Sequence, residues 1–313
     1  MKNFSEVTSF HLSAYHGMDD MKPLYFCIFL FIYMTIIAEN VVIITVIYLE
    51  KSLHEPMYLL LCNLAANGLY GSTALLPAVL TNLLSHSYEI SLPLCQTQIF
   101  AVHTYAVTEF TILAVMSYDR YMAICYPLLY HTIMSHRVVK LIVFTWLYPF
   151  LAFLVVLIFT LRLRFCERTI EKVYCMNYLL VKLSCDDISV VNIVGLLSVA
   201  LYTLPQIFMI FYTYAHILKI CITSFSQSKV KALRTCIPHL LALVNYSIGC
   251  FIEIAQSRFN IRHLPYQTKL FLSLYFLIFP PILNPAIYGL SIQLIRVRLF
   301  RLFSRNSRVG TEK

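Results

Sequence analysis

Charge is scarce in this chain: only 12% of its 313 residues are Asp, Glu, Lys or Arg, against 59% hydrophobic residues and a mean hydropathy of +0.74. So little polar surface excludes a soluble domain of this size. Glycine is rare too, at seven residues, and the sequence contains no phosphate-cradling loop, no H-E-x-x-H helix and no nucleophile elbow. Catalysis is not expected, nor is a catalytic residue, a metal or a cofactor. The paired internal repeats on which transporters are built are missing as well. The first 23 residues hold Glu6, Asp19 and Asp20 but no apolar run. No cleavable signal is read there, and the first apolar helix is expected to serve as its own signal.

What the chain does have is long apolar runs. About 20 apolar residues cross a bilayer as a helix, and seven runs of that size are separated by short polar joints. Membrane strands would show short alternating runs instead. The expected fold is all-α, a seven-transmembrane helix bundle. The spans read as Leu24 to Leu49, Met57 to about Leu84, from near Cys95, Val138 to Leu161, Ile188 to Ile222, up to about Ser257, and from near Gln267. This divides the chain into an extracellular N-terminus over 1–23, a seven-helix membrane domain over 24–292 and a basic tail over 293–313. The tail sets Arg296, Arg298, Arg301, Arg305 and Arg308 among Leu299, Phe300, Leu302 and Phe303, which suits an anionic membrane surface better than nucleic acid. With the N-terminus outside, 14 of the 24 Lys and Arg face inward and 10 outward. The positive-inside rule agrees with that orientation.

Asp119 and Arg120 stand side by side in an otherwise apolar segment, and adjacent charges in lipid must pair or reach a surface. As a helix, the chain rises about 37 Å from Cys95 to Arg120, enough to put the two on opposite faces. The string from Met116 to Pro127, M-S-Y-D-R-Y-M-A-I-C-Y-P, resembles the third-helix motif of olfactory receptors, a rhodopsin-like G-protein-coupled receptor family. Four further strings resemble that family in the expected order. They are Leu53-His54-Glu55-Pro56-Met57-Tyr58, Tyr214 with Ile217-Leu218, Lys231-Ala232-Leu233-Arg234-Thr235-Cys236 with His239-Leu240, and Pro280 to Tyr288 with Asn284-Pro285. His239 and the ending Tyr288-Gly289-Leu290 resemble fish-like members of that family.

The resemblance carries roles with it. It implies that Asp119, Arg120, Tyr121, Tyr214, Lys231, Asn284, Pro285 and Tyr288 take part in G-protein coupling and activation. It implies disulfides Cys95 with Cys175 and Cys166 with Cys185. The four cysteines permit three pairings, and sequence alone leaves them open. The family's second-helix carboxylate is replaced by Asn67, while Glu109 lies about 16 Å from Arg120, near mid-membrane. With Asn40 and Asn67 it reads as a polar hub or an ion site. Asn3-Phe4-Ser5 is an N-glycosylation acceptor if it lies outside.

On the third helix His103, Ala106, Val107 and Phe110 recur at helical spacing and share one face. Alignment to the family's pocket sets Ser198, Tyr202, Cys250, Phe251, Ile254 and Leu274 opposite them. A small, mostly apolar cavity with a few polar anchors suits a small odorant. Val102 stands where amine receptors carry an aspartate, and Lys269 lies near an outer end, so neither an ammonium ligand nor a retinal Schiff base is expected. The implied partners are a small-molecule odorant, a heterotrimeric G protein of the stimulatory olfactory type and membrane lipids, at the plasma membrane, with no nucleic acid. Two alternatives stand beside this reading. One is a transporter or channel using Glu39, Glu109 and His103, and the other is a non-olfactory rhodopsin-like receptor. The loop over 162–187 mixes Arg162, Arg164, Arg168, Lys172 and Lys182 with Glu167, Glu171, Asp186 and Asp187, which reads as a solvated lid.

Overall fold

The computed structural model describes the backbone of residues 7–223, 227–258 and 264–298, and the side chains of these except 223–234 and 257–258. Seven long helices dominate: α1 (Lys22–Leu49), α2 (Pro56–Leu84), α3 (Leu92–Cys125), α4 (Pro127–Thr160), α6 (Ser189–Thr223), α7 (Gln227–Arg258) and α8 (Tyr266–Ser291). All seven are long and apolar enough to cross a membrane. A short α5 (Asn177–Lys182) lies in the loop between α4 and α6. Proline opens α2 and α4 at the first turn, where its missing donor costs nothing.

The polarity of the bundle is inverted relative to a soluble protein. Phe31, Phe208 and Phe211 stand exposed on the outside, while Asn40, Asn67, Glu109, Asp119 and Asn284 are buried. Lipid leaves the backbone no outside partner, so any carbonyl freed by a proline must be satisfied within the protein. Pro285 removes the N–H that would bond the Pro281 carbonyl, and the Asn40 amide from α1 donates to that carbonyl at 2.8 Å. Pro205 does the same to Leu201, whose carbonyl accepts from the Tyr148 hydroxyl of α4 at 3.2 Å. Both helices run on unbroken through these prolines.

One span begins well before its expected start. The apolar run placed the fourth helix at Val138, whereas α4 begins at Pro127. Its first turns carry His131, Ser135, His136 and Arg137, which hide the helix from a hydropathy reading. Tyr130, Met134 and Val138 nevertheless share a buried face, and Tyr130 and Met134 join a second apolar cluster with Tyr121, Met122 and Ile217.

A small sheet closes the end of the bundle that carries Cys95. Its order is β2-β1-β3, with β1 (Ser9–Leu12) antiparallel to β2 (Glu89–Ser91) and parallel to β3 (Thr169–Ile170). Two membrane-length helices separate β1 from β2, and two more separate β2 from β3, so all three lie on one side. Phe10 and Leu12 point inward at strand period, and Tyr15 and Met18 do so at the period of the 3-10 segment Ser13–Met21. The Tyr15 hydroxyl donates to the Val173 carbonyl at 2.9 Å, and that of Tyr266 to the Ala14 carbonyl at 2.7 Å. The described part of 1–23 is therefore folded onto the loops. At the other end the chain resumes as helix over 293–298, where Arg298 lies 3.3 Å from Glu50. Arg301, Arg305 and Arg308 lie outside the described residues.

Candidate functional site

Three layers of polar contact run along α3. Nearest the sheet, the Cys95 and Cys175 sulfurs are bonded, as are those of Cys166 and Cys185, each pair with Cα atoms 5.4 Å apart. The first bond ties the long loop to the start of α3, where Gln98 Oε1 also accepts the Cys175 N–H at 2.8 Å. The second closes the loop on itself beside an exposed Arg164–Asp186 ion pair at 2.7 Å. Arg164 holds the Asp186 carboxyl below its ordinary range. Among the loop's charges Lys172 is not solvated, contrary to the lid expected from composition. It is buried and paired with Glu253 of α7, whose other oxygen accepts the Tyr174 hydroxyl at 3.2 Å. Glu253 is not among the residues expected from sequence, although an acid inside an apolar span is itself the signal.

Below the loop lies a cavity of about 500 Å³ between α3, α4, α5 and α6. His103, Val107, Ser198 and Tyr202 all line it, together with Phe153 and Asn177. His103 stacks on Phe153, with ring centroids 4.3 Å apart. Its Nδ1 lies 3.0 Å from the Ile99 carbonyl, which can only accept, so Nδ1 carries the hydrogen and Nε2 of the neutral ring is an acceptor. Tyr202 donates to the Ala152 carbonyl at 2.6 Å.

The rest of the expected pocket is divided. Phe110 and Phe251 line a separate apolar groove of about 560 Å³ between α3, α6 and α7. Ala106, Cys250, Ile254 and Leu274 line neither space. Helix α7 packs mainly on α8 and only thinly on α6, which turns Phe251 and Ile254 outward and exposes them. Leu274 is buried in the core, and the Ala106 carbonyl accepts the Tyr246 hydroxyl at 2.6 Å.

In the middle layer Glu109 is fully enclosed. Its Oε2 accepts from Asn67 at 2.7 Å and its Oε1 from Asn284 at 2.6 Å, joining α2, α3 and α8. Asn40 stands apart from this group, on Ile36 and Pro281. The Tyr288 hydroxyl is buried without a partner among the described residues. Among the described residues no group of three His, Cys, Asp or Glu side chains converges to hold a metal.

The last layer holds the charges. Arg120 reaches Asp119 Oδ2 at 2.6 Å, while Tyr130 donates to Asp119 Oδ1 at 2.8 Å, so the buried carboxylate is satisfied on both oxygens. One turn deeper, His239 of α7 bridges two helices. Its Nε2 lies 2.9 Å from the Leu113 carbonyl, so Nε2 donates, and its Nδ1 accepts from the Tyr214 hydroxyl of α6. Tyr121 stacks edge-on with Tyr212 and His216 at the same end. Asn3 and the side chain of Lys231 lie outside the described residues.

The olfactory receptor family matches residues 29–306. Olfactory receptor 51G1 of Homo sapiens is 34% identical over 298 residues, covering 94% of this chain and 92% of that protein. Olfactory receptor 5M5 of Mus musculus is 34% identical over 310 residues, covering 97% and 96%. Among solved structures, squid rhodopsin superposes with a TM-score of 0.68 at 18% identity, covering 90% of this chain and 86% of that one.

Proposed function

The chain belongs to the olfactory receptor family, a non-enzymatic, multi-pass signalling receptor of rhodopsin-like fold, and from that premise we propose how it signals. A small odorant binds in the cavity beside His103, and the bound state favours coupling to a heterotrimeric G protein of the stimulatory olfactory type. The receptor sits in the plasma membrane with its N-terminus and disulfides outside. The observation that carries this reading is the cavity of about 500 Å³, mostly apolar with His103, Ser198 and Tyr202 as polar anchors. Such a composition suits a small ligand with one hydrogen-bonding group. The His103 Nε2 acceptor favours a ligand that donates.

Signalling then requires a change at the far end. A ligand shifts an equilibrium only by its difference in affinity for the two states. The bridge from His239 to Leu113 and Tyr214 holds α7 against α3 and α6, and the Asp119–Arg120 pair occupies the neighbouring surface. Release of both lets α7 swing outward and frees Arg120, with Tyr121, Tyr214, Lys231 and the Asn284-Pro285-Tyr288 segment, to receive a G-protein helix. Glu109 with Asn67 and Asn284 serves as the polar hub about which α2, α3 and α8 turn.

The test is a cyclic-AMP reporter in cells co-expressing an olfactory-type stimulatory G protein, screened with small odorants. A response that Arg120→Ala abolishes and His103→Phe weakens at least tenfold, at equal surface level, supports the proposal. A ligand-gated current in a bilayer without any G protein would replace it with a channel.

A further inference from the structure

On the exposed face of the N-terminal cap, two imidazoles meet nitrogen to nitrogen. His11 lies in β1 and His16 in the following 3-10 segment, and their Nε2 atoms are 2.9 Å apart. On its other side the His16 ring presents Nδ1 to Asp19 Oδ2 at 3.2 Å. A carboxylate can only accept, so Nδ1 of His16 carries the hydrogen and its Nε2 is left with a lone pair. That lone pair accepts a hydrogen bond from Nε2–H of His11, so a metal entering between the rings takes the place of this proton. The carboxylate behind His16 fixes its tautomer and raises its basicity, as outer-shell carboxylates do for metal-ligating histidines.

The surroundings are consistent with a bound cation. Asp19 divides its oxygens, Oδ2 to His16 and Oδ1 to Lys22 at 3.0 Å and to the Tyr88 hydroxyl. The Lys22 ammonium lies over the Tyr88 ring, 4.9 Å from its centre. Glu89 is the cross-strand partner of His11, which puts a second carboxylate on the same strand pair. The titratable groups facing the pair are thus Asp19, Glu89, Lys22 and Tyr88.

We propose that His11 and His16 form a binding site for a borderline transition-metal dication, with zinc as its representative and water completing the coordination. Zinc–nitrogen bonds of about 2.0–2.1 Å set two imidazole nitrogens about 3.3 Å apart in tetrahedral geometry. The pair opens by only a few tenths of an ångström to admit the ion, with the His16 ring exposed and the His11 ring half-buried. Imidazole ligands select zinc or copper over magnesium and calcium. The bound ion pins the end of β1 to the 3-10 segment, and so fastens the cap whose Tyr15 holds the Val173 carbonyl of the long loop.

The experiment uses the full-length receptor, purified without a polyhistidine tag into nanodiscs and stripped with a chelator. Zinc chloride is titrated by calorimetry, with magnesium as control. One saturable equivalent of zinc is expected, absent in His11→Ala and in His16→Ala, and weakened 10–100-fold in Asp19→Asn. Zinc should raise the thermal midpoint of the wild type but not of either histidine variant. Zinc binding unchanged in the double variant, or no saturable binding in a wild type that melts normally, overturns the proposal. Both readouts are independent of any odorant or G protein, so failure here leaves the signalling proposal standing, and the reverse holds too. A histidine variant whose metal-free midpoint equals that of the wild type shows that the loss is one of ligand and not of fold.

Discussion

The Asn40 amide donates to the Pro281 carbonyl, the one acceptor in α8 that Pro285 deprives of its helical partner. The two residues lie on the first and last long helices, and their bond replaces a backbone bond with a side-chain one. Asn40→Ala leaves that carbonyl buried and unpaired, at a cost of about 1–3 kcal/mol. In a Pro285→Ala background the helix supplies its own donor, and the same change should cost little. Thermal unfolding of the four proteins of this double-mutant cycle measures the coupling. Additive effects would mean that Asn40 acts elsewhere.

Lys172 and Glu253 form the second testable pair. Both are buried, and removing one partner strands the other, so Glu253→Ala should destabilise by about 3–5 kcal/mol, read as a lowered unfolding midpoint. Replacing both together with Lys172→Met and Glu253→Leu should recover most of that loss. A double variant as unstable as the single one would place the effect in Tyr174 or in packing.

His239 is the bridge at the opposite end. His239→Phe keeps a ring in place but removes the bonds to Leu113 and Tyr214 together. Basal cyclic-AMP signalling should rise several-fold at equal surface expression. Unchanged basal signalling would show that the bridge does not restrain α7.

A pH effect is expected outside the membrane. Arg164 lowers the Asp186 carboxyl below its ordinary 3.8. In that window the unfolded chain binds the proton more readily than the folded one, so the pair stabilises the loop above pH 3.8, and the contribution fades as pH falls through the folded value. Asp186→Asn should flatten this part of the midpoint-versus-pH curve. The high exposure of Arg164 keeps the effect small and salt-sensitive.

Hydropathy made seven crossings legible because lipid demands long apolar helices, and most span ends fall within three residues of the apolar runs. It missed the first turns of α4, where Tyr130, Met134 and Val138 form a stripe too narrow to raise the average. It missed the sheet as well. Strands as short as β1 to β3 carry no period of their own, and their pairing joins residues far apart in the chain, as His11 with Glu89 and with Thr169. On α3 and α6, helical spacing and family alignment brought His103, Val107, Ser198 and Tyr202 to one cavity. On α7 the same alignment did not do so for Phe251 and Ile254, because which face a helix presents depends on how it packs, and α7 leans on α8. Glu253 signals itself as an acid in an apolar span, but its pairing is not legible because Lys172 sits in a loop that composition alone marks as wet.

The sheet order β2-β1-β3 also fixes a sequence of events in time. Chains emerge from the ribosome N-terminus first, so β1 is the earliest of the three strands to be made and the last able to pair on both sides. Its central place stays unfilled until Thr169 and Ile170 follow, after four crossings have been completed. A chain stalled or wrongly inserted before that point leaves Phe10 and Leu12 without their cover, on a strand edge open to pairing with another chain.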